Sequence, residues 1–432
     1  MPQNKFFYGM HKGLPFVMWV LPLSFFALQF ILRLWPGLMM QEIMGQFSID
    51  AAGFGLLAAF YYYGYAGMQI PMAFLLERFG AKRVIFTLTL LCGLSALLFT
   101  STNNFYMALL SRFLIGASSA IGFLGVSKVV SQWFSNDNYS HMIGLSFSVG
   151  LLGAVYGGKP FTQLLSIYGS HSVGMGLALS SIGIGLMVFF FLRTPKNVKN
   201  TPSDEIKLSH LSVLLTSKTL WILALGNLLM VGALEGFADV WGVPYIMMAF
   251  GFPKTDAALL VSFIFIGMLF GGPLLAFLSQ KFGNYKILGL CGTGLALIFL
   301  VLLSGHMSQW WLLCILFFTI GLLCCYQVIV FATGAHIVSK KYLGMTVAFL
   351  NCINMLGGSF FHTLIGKIMD LYWKGDYTTS GLKQYTLSSY HHALMVIPAC
   401  AVIGAILIYG LQKYTSRQTA INSGAHLISE AG

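Results

Sequence analysis

Ala73-Phe-Leu-Leu-Glu77-Arg78-Phe-Gly80 closes one long apolar run, and Ala276-Phe-Leu-Ser-Gln280-Lys281-Phe-Gly283 closes another, 203 residues later in a chain of 432. Both copies carry a small residue, a Phe-Leu pair, a cation and a final glycine in the same register. One hydrophobic unit is written twice, so the architecture of the first half should recur in the second.

The composition surrounding these stretches belongs to a membrane protein. Apolar residues make up 57% of the chain and charged residues 8%, whereas a soluble domain carries roughly a quarter charged residues. A chain this poor in charge cannot cover a water-facing surface, and lipid must be most of its solvent. Crossing the hydrocarbon takes about 20 mostly apolar residues as helix. Twelve such runs are found, at approximately 14–40, 51–76, 84–101, 104–130, 141–166, 172–192, 219–247, 256–279, 287–304, 309–335, 344–369 and 391–411. They are too long and too evenly apolar for barrel strands, and backbone groups in lipid need internal partners, so each is predicted to be an α-helix. The expected fold is an all-α polytopic membrane protein with twelve transmembrane helices in two pseudo-symmetric six-helix bundles. No cleavable leader is expected, because the first run is long and lacks a small-residue cleavage site.

Orientation follows from the basic residues. With the N-terminus placed in the cytoplasm, the cytoplasmic segments collect Lys5, Lys12, Arg78, Lys82, Arg83, Arg193, Lys196, Lys199, Lys207, Lys218, Lys281, Lys286, Lys340, Lys341, Lys413 and Arg417. The opposite loops hold Lys254, Lys374 and Lys383. This bias matches the positive-inside rule for an even number of spans with both ends in the cytoplasm. The net charge of +12 therefore reports topology, and no nucleic-acid partner is expected. The seven cysteines all fall within predicted spans, which argues against a disulfide framework or a metal knuckle. No cofactor, metal or catalytic constellation is expected, and no phosphate-binding loop that would couple this chain to ATP is present.

The texture changes between residues 193 and 218, a polar stretch with Pro195 and Pro202 that reads as a cytoplasmic linker. It divides an N-terminal bundle at 1–192 from a C-terminal bundle at 219–411, with a cytoplasmic tail at 412–432 read as unstructured. Within the linker, Leu208 to Leu215 fits either a short surface helix or a plain tether.

Ala73-Phe-Leu-Leu-Glu77-Arg78-Phe-Gly80-Ala-Lys82-Arg83 resembles the signature loop between helices 2 and 3 of the major facilitator superfamily, with Ala73 for its leading Gly and Glu77 for its Asp. The second copy has Gln280 for the acid, as in the degenerate second-half version of that loop. The resemblance covers essentially the whole chain. It implies a secondary transporter working by alternating access, for which a monomer suffices. Glu77, Arg78, Gly80 and Arg83 then form a gating loop, Glu77 acting as a latch between helix ends; anchoring to lipid headgroups accounts for part of the cations. Arg112-Phe-Leu-Ile-Gly116-Ala-Ser-Ser-Ala120 looks like the superfamily pattern of an intramembrane Arg linked to proton coupling. Gly153-Ala154-Val-Tyr-Gly157-Gly158 is similar to an exporter motif whose Pro is here Ala154, and its glycines also suit close helix packing. Segments around Tyr61 to Pro71 and Phe237 to Pro244 look like those of bacterial carriers of organic anions, amino acids or dipeptides, which implies the bacterial cytoplasmic (inner) membrane.

Charges inside the membrane are costly and survive with a partner, a wet cavity or a task. Arg33 lies in the second half of helix 1. Adding the repeat offset gives position 236, beside Glu235 in helix 7, so the two should face each other across the halves at similar depth. Arg presents a planar fork matched to carboxylate or phosphate. Two roles fit: contact with an anionic substrate, or a gate in which Arg33 pairs with Glu235 or Asp239. Glu235 and Asp239 share a helical face, and two close carboxylates in a low dielectric cannot both ionise cheaply, which makes the pair, with Arg112, the candidate for proton coupling. Tyr61, Tyr65 and Gln69 in helix 2, Lys159 in helix 5, Gln327 in helix 10 and Asn351 and Asn354 in helix 11 complete the candidate substrate site. His362 fits either a proton relay or a structural group. The function expected is proton-coupled symport of a small anionic or zwitterionic solute across the lipid bilayer, the alternatives being export of drugs or siderophores, or a uniporter or nutrient sensor.

Overall fold

The computed structural model describes residues 13–195, 208–306, 308–339 and 342–430. Part of the linker, and the basic residues Lys5, Lys12, Lys196, Lys199, Lys207, Lys340 and Lys341, lie outside the described residues.

The long helices are α1 (Leu14–Leu38), α2 (Ala51–Phe79), α3 (Ala81–Ser101), α4 (Phe105–Trp133), α5 and α6, then α7 (Lys218–Phe250), α8 (Lys254–Phe282), α9 (Asn284–Leu303), α10 (Trp310–Ile337), α11 (Leu343–Leu371) and α12 (Leu387–Tyr414). Helix α5 begins as Asn136–Tyr156, bends at Gly157 and Gly158 and resumes to residue 168. Gly169, at φ 74° and ψ 163°, ends it, and α6 fills 170–191. Among the described residues, ten helical stretches are long and apolar enough to cross a membrane when 159–191 counts as one, and α2, bent by 106° from the short helix Met40–Phe47, brings an eleventh. With α5 the described residues hold twelve long helices, the number of spans expected from the sequence.

Helix boundaries follow from local chemistry. Asp50 accepts from the Gly53 amide at 2.9 Å and starts α2, and Asn104 accepts from Tyr106 and Met107 at 2.9 and 3.1 Å and starts α4. Both occupy the cap, where a short polar side chain satisfies an orphan N–H. The duplicated stretch stops its helix in the same way twice. Gly80 has φ 77° and ψ 158°, and Gly283 has φ 90° and ψ 143°, a backbone that side chains rarely tolerate.

The duplication extends into packing. A methyl on Gly64 would collide with the Phe113 carbonyl, and one on Gly267 with the Phe318 carbonyl; Gly116 meets the Tyr61 carbonyl as Gly321 meets that of Ile264. The α2–α4 crossing in one half is thus reproduced by the α8–α10 crossing in the other. Small residues at these points let backbones touch where lipid supplies no hydrophobic drive.

One end of the molecule, the basic face, carries Arg78, Lys82, Arg83, Lys281 and Lys286 in the two repeated turns. At the opposite end, here termed the sealed face, the two halves touch beside a cleft of about 640 Å³ lined by residues of both, among them Glu42, Lys254 and Lys383. There Gly55 of α2 abuts the His362 carbonyl of α11, Gly366 abuts the Ala51 carbonyl, and Gly158 abuts Ser262 of α8. Among the described residues, three ion pairs bridge the halves at this end: Lys254 with Glu42 at 2.9 Å, Lys159 with Asp256 at 3.1 Å, and Lys383 with Asp50 at 3.2 Å.

Two expectations need correction. The tail does not leave helical structure at residue 412, because the last helix runs Val396–Glu430; 412–430 holds no proline, and extending an existing helix avoids the cost of nucleation. Helix α7 is not regular: Val231–Ala233 is a tight 3-10 turn and Leu234–Trp241 a wide π turn. The linker stretch Leu208–Leu215 is helical.

Candidate functional site

The irregular part of α7 is where the ionisable residues sit. A π turn widens the backbone and is often found at functional sites; here it carries Glu235 and Asp239, which are 1% and 2% exposed. Opposite them is Arg33, buried in the second half of α1. Gly37, one turn further along α1, lies against the Val240 backbone, where a methyl would stand 2.7 Å from its Cα. That close crossing brings the guanidinium within reach of both acids.

The contacts are specific. Arg33 Nη2 donates to Asp239 Oδ1 at 3.2 Å, its Nε lies 2.9 Å from Asp239 Oδ2, and its Nη1 lies 3.2 Å from Glu235 Oε2. The fork is therefore side-on to Asp239, with Glu235 taking the remaining edge. The Tyr62 hydroxyl of α2 bonds Glu235 Oε2 at 2.8 Å and also Asp239. A phenol carries one proton and donates to one acceptor at a time. Four side chains from three helices, drawn from both halves, thus form one polar knot in an apolar interior.

Around the knot the first half supplies a second layer. Arg112 of α4, 1% exposed, donates from Nη1 to the Leu32 carbonyl at 2.8 Å and stands 5.0 Å from the Tyr61 ring centroid. Tyr61 donates to Gln29 Oε1 at 3.0 Å. Arg112 therefore fixes the backbone immediately before Arg33. On the other side, the Tyr62 ring packs on Gly358 and lies 5.2 Å from the His362 ring. His362 is fully buried, and neither ring nitrogen has a hydrogen-bond partner among the described residues.

The remaining candidates fall at different depths. Tyr65 and Gln69 continue the Tyr62 side of α2 towards the basic face, and Asn354 lies one turn of α11 in the same direction from Gly358. Asn354 is fully buried, and among the described residues neither its two amide atoms nor Gln327 Nε2 has a hydrogen-bond partner; Asn351 is half-buried. Lys159 is not at the knot but at the sealed face, paired with Asp256. Arg78 and Arg83 are exposed, Glu77 is half-buried, and Gly80 makes the left-handed turn. Sequence reasoning named Tyr61 and Tyr65 and passed over Tyr62, because a cluster of four tyrosines between residues 61 and 65 does not itself show which ring turns to the other half. It also passed over Asn227, fully buried with neither amide atom partnered among the described residues.

Comparison with known proteins agrees with this architecture. The family model described as Major Facilitator Superfamily matches residues 19–362 and, in a second alignment, 240–424. The chain is 24% identical to the inner membrane transport protein RhmT of Escherichia coli K12, over 94% of this chain and 95% of that protein. It is 23% identical to the lysosomal dipeptide transporter MFSD1 of Danio rerio, over 78% and 76%. The crystal structure of the nucleoside transporter NupG superposes with a TM-score of 0.74 at 13% identity, covering 93% of this chain and 99% of that one, a likeness of fold.

Proposed function

From the premise that this chain belongs to the Major Facilitator Superfamily, whose members are transporters, we propose that it imports a small anionic or zwitterionic solute, such as an organic anion, amino acid or dipeptide, with protons as the coupling ion. The observation that carries this reading is the buried knot of Arg33, Tyr62, Glu235 and Asp239 where the two halves meet. Lone charges in a low dielectric are strongly disfavoured, and a guanidinium satisfied by two carboxylates still leaves one negative charge in excess. One proton on the carboxylate pair balances the cluster and weakens its hold on Arg33. A substrate carboxylate then takes the freed fork. Proton and anion favour the same rearrangement, which is the thermodynamic requirement for symport.

In this reading the basic face is cytoplasmic, with both chain ends on that side of a bacterial inner membrane, and the sealed face is external. Alternating access rocks the two bundles about the knot. Tyr65, Gln69, Asn351, Asn354 and Gln327 lie towards the cytoplasm from it and contact the solute after the outer side has closed. The Glu77 loop stays the latch of the opposite gate.

The relatives' names support the solute class: one similar protein is a dipeptide transporter. The test is uptake of labelled carboxylates, amino acids and dipeptides into proteoliposomes with an imposed pH gradient. Accumulation under an inside-alkaline gradient, abolished by a protonophore, is expected. Equilibration without accumulation points to a uniporter, and accumulation under the reversed gradient to an exporter.

A further inference from the structure

We propose that the last turn of α11 and the segment joining it to α12 form an intramolecular latch that caps the N-terminus of α2 from the opposite half and so sets the balance between sealed and open states of that face. The latch does not depend on the identity of the solute.

The first turn of a helix leaves backbone N–H groups without internal partners, and it attracts negative charge. In α2 the Gly53 amide is satisfied within its own half, by Asp50. The next two are satisfied by the other half. Ala52 N donates to Asp370 Oδ2 at 2.7 Å, and Ala51 N donates to the Tyr385 hydroxyl at 2.9 Å. Tyr385 in turn donates to Asp370 Oδ1 at 2.6 Å. Lys383 closes the ring, reaching Asp370 Oδ1 at 2.9 Å and Asp50 Oδ2 at 3.2 Å. Two carboxylates, one from each half, are thus held together by one ammonium and one helix terminus.

The segment is built to present these groups. Its hairpin pairs Tyr377 with Lys383; Thr378 N donates to the Leu382 carbonyl at 2.8 Å, Gln384 N donates to that of Asp376 at 2.9 Å, and Gly381 turns the chain at φ 77°. Lys383 also stands 5.1 Å from the Trp373 ring centroid. Opening this face must draw α2 away from α11, which exposes the Ala51 and Ala52 amides and leaves Lys383 with one carboxylate. The sealed state therefore gains several charge-assisted contacts that the open state lacks.

The test uses double electron–electron resonance on the full-length protein, with the half-buried Cys314 and Cys352 replaced by serine. Spin labels at Tyr106→Cys and Trp311→Cys report the sealed face, and labels at Arg83→Cys and Lys286→Cys report the basic face. In Asp370→Asn and Lys383→Ala the ratio of open to sealed populations is expected to rise on the order of tenfold. The basic-face distance should shorten in step, and Lys383→Arg should restore the parent distribution. Tyr385→Phe, which removes a single hydroxyl, carries the test if either of the first two variants fails to fold. Distributions matching the parent at both faces overturn the proposal, as does a change confined to one face, because a damaged loop alone would not drive reciprocal motion.

Discussion

Arg33 is held by geometry that lysine cannot reproduce. A guanidinium offers parallel donors to one carboxylate while keeping another for a second, whereas an ammonium is a point charge on a flexible stem. Arg33→Lys is expected to fold, since the charge balance is kept, and to raise the apparent KM for an anionic solute by at least tenfold in uptake assays. Near-normal uptake would assign Arg33 to gating alone. Tyr62→Phe removes the hydroxyl shared by Glu235 and Asp239 and leaves the ring on Gly358 and His362. We expect gradient-driven accumulation to fall several-fold more than counterflow exchange, and equal losses in both assays would make Tyr62 merely structural. At this scale the sequence was partly legible. The repeat offset put Arg33 opposite Glu235, because duplication preserves depth. Tyr62 was not legible, because which of several adjacent tyrosines faces the other half depends on the roll of α2 against α11.

At the scale of elements, the site depends on how closely α1 approaches α7. Gly37 and Val240 meet backbone to backbone, and Arg33 reaches Asp239 one turn away. Gly37→Ala should force the helices apart and destabilise the protein by about 1–3 kcal/mol, seen as a lower melting temperature in detergent, with weaker solute binding as well. Gly289→Ala, at the α9–α12 crossing where a methyl would meet the Tyr409 ring and none of the knot helices takes part, should also lower stability and leave solute affinity of the folded fraction unchanged. If the two variants lose affinity alike, the α1–α7 crossing has no special part in forming the site. Helix existence and number were legible from apolar run length. The π turn of α7 was not, since it arises where Gly232 and Gly236 let that helix settle against Phe361 of α11, a tertiary contact without a local signature.

For the whole molecule, the scarce cations of the sealed face prove to be concentrated at the seam between halves. Lys254 and Lys383 were visible in the sequence as exceptions to the charge bias, but their partners are distant in the chain. Partial burial opposes ionisation of Asp50, yet the Gly53 amide and Lys383 outweigh it and hold the carboxyl below its usual range. Burial likewise opposes the charge on Lys383, while Asp370 and Asp50 hold it above its usual value. The signs set a window. The Asp50 contribution is present above the ordinary carboxylate value and is lost as pH falls through its depressed value. The Lys383 contribution is present below the ordinary lysine value and is lost as pH rises through its raised one. The seal should therefore be constant between about pH 5 and 9, and sealed-face label distances that shift within that range would contradict this assignment.

The most direct test of the buried knot compares two assays on each of two variants, Glu235→Gln and Asp239→Asn, in proteoliposomes, since each leaves Arg33 one carboxylate partner. Counterflow exchange of solute should persist, because the gate can still rock, while accumulation driven by an inside-alkaline gradient should vanish. Accumulation at the level of the parent protein would show that protons couple elsewhere and that the carboxylates facing Arg33 are not the coupling site.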